Sequence, residues 1–234
     1  MKKKLVIFMP SIEGGGVEKN LFIVTNYLTK KINNIALITI SKKHKNKFDK
    51  SIEFISFKSE IWDRQSRKFK YVLSLLLLLR EILKNRNLLV FAFQANIYCI
   101  ILCKIFKIKI IVRSNSAPIG WSQNQFKNYL FKFFLNRADK VMVNSIEFKK
   151  SLKKRFNVSA KCIYNPLDKL EILKKSKLRS KKFFTSNKKI RILNIGRYVD
   201  QKDQETLIRA LNEIKNKLNF EAIIVGKGIL KKKI

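Results

Sequence analysis

Lys4 to Leu28 reads KLVIFMPSIEGGGVEKNLFIVTNYL. Its first part is a short apolar run that stops at Pro10, the pattern of a buried strand. In its last part Val17, Leu21, Val24 and Leu28 recur at spacings of four, three and four, one apolar stripe of a helix. Between them stand Gly14, Gly15 and Gly16, three of the seven glycines in the chain. Strand, glycine turn and helix in this order form the repeating unit of a wrapped parallel sheet, whose strand carboxyl ends are where ligands bind. Glycine lets backbone approach a ligand closely, and the unpaired N–H groups of the following helix attract anions. The spacing matches neither Gly-x-Gly-x-x-Gly nor the Gly-x-x-x-x-Gly-Lys-Ser/Thr loop. Alone, it reads as either a tight turn or an anion site.

The same alternation continues outward. IALITI (35–40), IEFISF (52–57), LLVFAF (88–93), IKIIV (108–112) and KVMVN (140–144) read as further strands. Helices are expected at about 66–84, 95–106, 122–136 and 145–156. Buried strands alternating with helices predict an α/β first domain with a parallel sheet over residues 1–164. Residues 165–189 read as a hinge and basic linker, because 169–189 holds nine basic residues and one acid. Then the pattern restarts with strand RILNIG (191–196), a helix from about Asp203 to Lys217 and strand FEAIIVG (220–226). Residues 190–234 are thus expected to be the start of a second α/β domain. It would be incomplete, since two strands cannot build a stable core. VGKGILKKKI, at the end, predicts a turn at Gly226 and Gly228 and the first turn of a helix.

Composition sets bounds on function. A chain of 234 residues that is 46% hydrophobic can hold a packed core. The longest apolar run, LSLLLLL at 73–79, is far below the roughly 20 residues of a membrane span, and no secretory signal is read at the N-terminus. Cys99, Cys103 and Cys162 show no zinc spacing and predict a reducing compartment. Cys99 and Cys103, four apart on a helix, are expected to be small buried side chains. Fifty-two basic residues against 16 acidic ones give a formal charge of +36, which implies attraction to polyanions. Lysine-for-arginine bias accounts for the choice of cation, though not for the scarcity of acids.

A second candidate site is GRYVDQKD, Gly196 to Asp203. Arg197 and Lys202 flank a loop just before a helix, where two cations and backbone donors can hold a diphosphate. Solvated lysine-rich surface is the competing reading.

GGGVEKNLFIVTNYL, ADKVMVNSIEFKKSL, IYNPLD, NIGRYVDQKDQETLIRAL and IIVGKGIL occur in an order that resembles the family-4 glycosyltransferases. The resemblance implies a GT-B-like fold: a complete N-terminal Rossmann-like domain followed by an incomplete second one. It implies a retaining glycosyltransferase that moves sugar from a nucleotide-diphosphate sugar to a glycan or lipid-linked acceptor in cell-envelope polysaccharide synthesis. By resemblance, Gly15 and Gly16 lie at the donor phosphates and sugar, Arg197 and Lys202 neutralise the diphosphate, and Gly226 and Gly228 form a turn facing the same cleft. No cofactor and no metal are expected, the two cations standing in for the metal, and no residue is singled out as catalytic. Three departures accompany it. RSNSAP (113–118) stands where many relatives carry a histidine, and the single histidine, His44, falls in the lysine-rich SKKHKNKF, where it is expected to be solvated. Lys19 replaces a common arginine. The family's paired glutamates lie beyond the last residue, which implies impaired activity of this chain alone or a second chain supplying the missing half.

SRKFKYVLSLLLLLREILKNRN (66–87) and NQFKNYLFKFFLNR (124–137) mix cations with leucine and aromatic residues. Such helices either cover a sheet or lie on an anionic membrane surface, and for the first the leucine run favours burial. A cytoplasmic protein, peripheral at the inner membrane face, is expected. Charge alone also fits nucleic acid, but no zinc finger, RNA-recognition signature or basic zipper occurs, so no specific nucleic acid partner is expected.

Overall fold

The computed structural model describes residues 3–13, 15–42, 44–57, 59–115, 124–178, 183–186 and 188–232. It divides into two units, Met1–Asp168 and Lys169–Ile234. In the first, β1 (Lys4–Phe8), β2 (Ile35–Ile38), β3 (Glu53–Ile55), β4 (Leu88–Ala92), β5 (Lys109–Arg113), β6 (Lys140–Val143) and β7 (Lys161–Cys162) form one sheet. All its pairings are parallel, in the order β3-β2-β1-β4-β5-β6-β7. β2 and β3 extend it on one side of β1 and β4 to β7 on the other, so the order reverses between β1 and β4. That reversal opens a crevice at the strand carboxyl ends.

β1 shows why both faces need covering. Val6 and Phe8 join one apolar cluster, with Leu77 and Leu78 of α2 (Arg67–Lys84), Cys99 and Ile100 of α3 (Asn96–Ile105) and Leu152 of α5 (Ile146–Phe156). Leu5, Ile7 and Met9 join the other, with Leu21 of α1 (Gly16–Thr29), Phe48 and Ile52. The period-two alternation of a strand sends neighbours to opposite faces, and each fully buried side chain contributes about 1.5–3 kcal/mol. Ser66, Asn124 and Ser145 cap α2, α4 (Gln125–Leu135) and α5 by accepting from the amides of Phe69, Lys127 and Phe148 at 3.4, 3.1 and 3.0 Å. These side-chain oxygens satisfy N–H groups that a helix start leaves free.

Several local expectations change. The leucine run of α2 is split: Leu73, Leu77, Leu78 and Ile82 are buried, whereas Val72, Leu76 and Leu83 are exposed. His44 is half-buried rather than solvated, edge-on to Phe22 with ring centroids 6.0 Å apart. β7 has only two residues, too few to leave a periodic signal. The first eight residues of the basic segment 169–189 form α6 (Lys169–Ser176), with no buried residue and an ion pair between Glu171 and Lys175. Cys99 and Cys103 are fully buried, and burial pushes the Cys99 thiol up and that of Cys103 to about 12.

In the second unit β8 (Ile190–Ile195) pairs in parallel with β9 (Phe220–Val225), and α7 (Gln204–Ile214) lies between them in sequence. A short 3-10 turn, Ile229–Lys232, stands where a helix start was expected. Among the described residues of this unit Tyr198 is the single buried large apolar side chain, while Leu193 and Ile195 are 54% and 72% exposed.

Lys4 ties the first unit together at the other edge of the sheet. Its ammonium is 2.7 Å from Glu53 and 3.1 Å from Glu81, and Glu81 is also 3.1 Å from Lys84. Burial disfavours both charged forms, but the hydrogen bonds outweigh it: Glu81 is held below its usual 4.5 and Lys4 above its usual 10.5. The Glu81 contribution is therefore fully present above pH 4.5 and is lost as pH falls through the lower folded value. Glu81→Gln is expected to cost about 3 kcal/mol, the low end for breaking a buried pair because Lys4 keeps Glu53. Urea unfolding of the first unit at pH 7 and pH 3 checks this, with the difference between variant and parent shrinking in acid. For the second unit, hydrogen exchange is expected to be at least about a hundredfold faster at β8 and β9 than at β1 and β4, because a two-stranded sheet without a core is marginal.

Candidate functional site

The carboxyl edge of the first sheet carries a cavity of about 860 Å³. The loop after β4 (Phe93 to Asn96) and the end of β5 (Arg113 to Asn115) line it, with Tyr71 of α2, Ile97 of α3 and Phe131 and Phe134 of α4. Arg113 is 1% exposed. Its Nη2 donates to Asn165 Oδ1 at 2.8 Å and to the Ile163 carbonyl at 3.5 Å, and its guanidinium lies 5.9 Å from the centre of the Phe93 ring. Among the described residues no carboxylate pairs with it and its Nε has no acceptor. Burial pushes its pKa below the usual value, and a guanidinium remains charged even so. Asn96 and Asn115 are oriented by donating Nδ2–H to the carbonyls of Arg113 and Phe93 at 3.0 and 3.1 Å. Their Oδ1 atoms are buried without a donor among the described residues. Ala95, the residue before α3, takes a left-handed conformation with φ of 53°, which costs a non-glycine residue about 1 kcal/mol. Strain of this kind collects at ligand sites.

Sequence reasoning missed this wall. RSNSAP stands out only as the place where relatives carry a histidine; the usable signal is a cation closing the mostly apolar run IKIIVR, since a buried charge requires a partner. Residues 116–118 of that motif lie outside the described residues, as does Gly14.

The glycine turn sits on the same edge. Ser11, fully buried, donates its Oγ–H to Glu13 at 2.9 Å, and its amide donates to Gln94 Oε1 at 3.3 Å, linking the loops after β1 and β4. Gly15 precedes α1 with φ of −89°, a value open to any residue. A Cβ there would meet only the Glu18 carboxylate at 2.9 Å, and one at Gly16 would meet nothing within 4 Å. The space at Gly16 is therefore open, and at Gly15 only the end of the Glu18 side chain would have to shift. Val17, the next residue, lines the cavity. Glu18 is buried and folds back over the start of its own helix, supplying the negative charge that a helix N-terminus favours.

In the second unit the other four candidates form one backbone arrangement. A Cβ on Gly226 would overlap the Gly196 carbonyl, and one on Gly228 would overlap the Tyr198 backbone. Only glycine permits this approach. The Gly196 amide donates to the Val225 carbonyl, Tyr198 N–H to the Lys227 carbonyl and Tyr198 O–H to the Ile224 carbonyl, each at 3.0 Å. Gln204, 1% exposed, donates Nε2–H to the Arg197 carbonyl at 3.0 Å. The stem of Lys202 lies beside Gly196, within 3.5 Å of the position a Cβ would take there. Arg197 and Lys202 are exposed, with no acid paired to either among the described residues. Asp203 (φ 45°) caps α7, accepting from the Thr206 amide at 3.4 Å. A fixed loop thus presents two free cations beside a helix start. Gly15 and Gly16 belong to the first unit and these four residues to the second.

No family model matches the sequence. An uncharacterized glycosyltransferase of Methanocaldococcus jannaschii is 31% identical over 149 residues, 58% of this chain and 37% of that protein. The chain thus spans well under half of that relative. Among solved structures, Anabaena HepE in complex with UDP and glucose has a TM-score of 0.65 at 16% identity, covering 99% of this chain and 63% of its own. A glycosyltransferase from Rickettsia africae gives 0.62 at 18% identity, covering 99% and 62%. A mutant of S. aureus TarM, in complex with Fondaparinux, alpha-GlcNAc-glycerol and UDP, gives 0.62 at 11%, covering 99% and 74%. The chain has the α/β fold of GT-B glycosyltransferases.

Proposed function

We propose that this protein acts in sugar transfer from a nucleotide-diphosphate sugar, with retention of anomeric configuration, to a glycan or lipid-linked acceptor of the cell envelope. The observation that carries it is the loop Gly196–Lys202. Two glycine contacts and Gln204 hold its backbone, and among the described residues Arg197 and Lys202 have no acid partner beside the start of α7. As the bond between sugar and diphosphate breaks, the departing diphosphate gains negative charge that these two cations neutralise, so they stabilise the transition state more than the ground state. The acceptor hydroxyl oxygen bonds to the anomeric carbon as the bond to the diphosphate oxygen breaks, and its proton passes to the departing diphosphate. Gly15 and Gly16 are assigned to the donor phosphates and sugar, as the resemblance implies, Gly16 having open space where a side chain would stand. Gly226 and Gly228 serve by fixing the Arg197 loop. No metal is required in this reading.

Arg197→Ala and Lys202→Ala are each expected to weaken UDP-glucose binding about tenfold, since a hydrogen bond to a charged group contributes about 1.5 kcal/mol or more. Calorimetric titration measures this, and a chelator is expected to leave the affinity unchanged. Equal affinities in parent and variants would overturn the assignment of the loop.

Two further parts of the proposal have their own observations. The uncovered Leu193 and Ile195 favour a covering layer in the working protein. On α4, Phe126 and Tyr129 are 68% and 60% exposed, with Lys127 and Lys132 on the same helix, which suits peripheral attachment to an anionic membrane face. Among the described residues no helix is long and apolar enough to cross a membrane. Inserting one ring brings about 1.5 kcal/mol or more, so replacing Phe126 and Tyr129 by serine is expected to lower binding to phosphatidylglycerol vesicles at least about tenfold in a sedimentation assay. Duplex DNA across a salt series is expected to bind without the steep dependence of a dedicated partner; tight, salt-steep DNA binding with no vesicle binding would reverse this part.

A further inference from the structure

The cavity of the first unit has an unusual charge pattern. Among the described residues its lining includes Arg113, Arg67 and Lys127 and not one aspartate or glutamate. Arg67 lies 5.8 Å from the centre of the Tyr71 ring, and no carboxylate of the described residues pairs with it or with Lys127. In an ordinary core a charge this deep is paired within the protein. Arg113 is 1% exposed and carries an unaccepted Nε–H. Asn165, held by its Nη2, is neutral and cannot serve as counter-ion. Beside it, Asn96 and Asn115 each spend their donor on a backbone carbonyl and leave a buried Oδ1 that needs a hydroxyl or amine donor.

We propose that this cavity binds an acidic saccharide, with its carboxylate or phosphate at Arg113 and neighbouring hydroxyls donating to Asn96 and Asn115. The aromatic wall of Tyr71, Phe131 and Phe134 takes the apolar face of the sugar ring, and Arg67 and Lys127 add positive potential. A neutral sugar satisfies the two asparagine oxygens but leaves Arg113 without a counter-ion. A bare anion does the reverse. Discrimination follows from leaving a buried polar group unpaired, which is the strong route to specificity. This assignment names the acceptor class and rests on the glycosyltransferase reading given above.

The test uses the full chain and direct binding, so that turnover is not needed. Saturation-transfer NMR titrations with glucuronate, glucose 1-phosphate, glucose and inorganic phosphate are expected to show at least tenfold tighter binding of one or both acidic sugars than of glucose or phosphate. The first two arms separate carboxylate from phosphate as the preferred oxyanion. Asn115→Asp, which adds a carboxylate to the same cavity wall as Arg113, is expected to abolish the preference for acidic over neutral sugar while circular dichroism stays unchanged. Arg113→Lys, keeping the charge, is expected to retain part of it. Glucose binding as well as the acidic sugars, inorganic phosphate binding as well as the acidic sugars, or a preference untouched by Asn115→Asp would each overturn the proposal. UDP-glucose affinity, measured in parallel with Arg197→Ala, keeps the two readings apart. Donor binding without acid preference removes the inference alone, and acid preference without donor binding keeps the acidic-sugar site but removes the glycosyltransferase reading and the acceptor role with it.

Discussion

β1 carries parallel hydrogen-bonded neighbours on both edges and apolar side chains on both faces. No water can satisfy such a strand, so its partners must lie in one plane and helices must cover both sides. From that constraint come the alternation of strand and helix and the two apolar clusters. The sheet grows outward from β1 in both directions, so the loops after β1 and β4 leave the edge on either side of a crevice. Ser11 and Gln94 tie those loops together across it, and the cavity opens beside them. Position on the edge is thus inherited from strand order rather than from any site residue.

The second unit achieves order by a different means. Its two strands bury little, and its local rigidity comes from backbone contacts that only glycine allows. Gly226 and Gly228 bring the end of β9 against the loop after β8, and Tyr198 and Gln204 lock what remains. The backbone is therefore specified around Arg197 even though the apolar faces of the strands are open. A loop held in this way can present a cation without using the cation itself to hold the fold, which leaves Arg197 and Lys202 available to a ligand.

Charge is distributed with equal economy. In a chain of net charge +36, the few acids are spent where cations meet the fold: Glu53 and Glu81 on Lys4, and Asp139 on Lys104 at 2.7 Å. Arg113 receives none. The contrast between Lys4, half-buried with two carboxylates, and Arg113, buried with none among the described residues, separates a structural ion from one that awaits a counter-charge.

Periodicity and punctuation alone determined the elements of the first unit. Val17, Leu21, Val24 and Leu28 placed α1, the apolar runs placed six strands to within a few residues, and the Gly226–Gly228 pair marked a turn, because local pattern records which side of an element is buried. β7 and α6 escaped notice, the one too short for a period and the other solvated all round. The sequence also singled out Arg197 and Lys202, since cations beside a helix start form a local pattern. Tertiary structure decided the rest: strand order, the split of the α2 leucines between core and surface, the packing of His44 on Phe22, and the wall of Asn96, Arg113 and Asn115. Those last three come from α3, β5 and the loop after it, and only pairing of β4 with β5 brings them together. Whether a buried cation has a partner depends on distances in space, and residue spacing along the chain does not encode them.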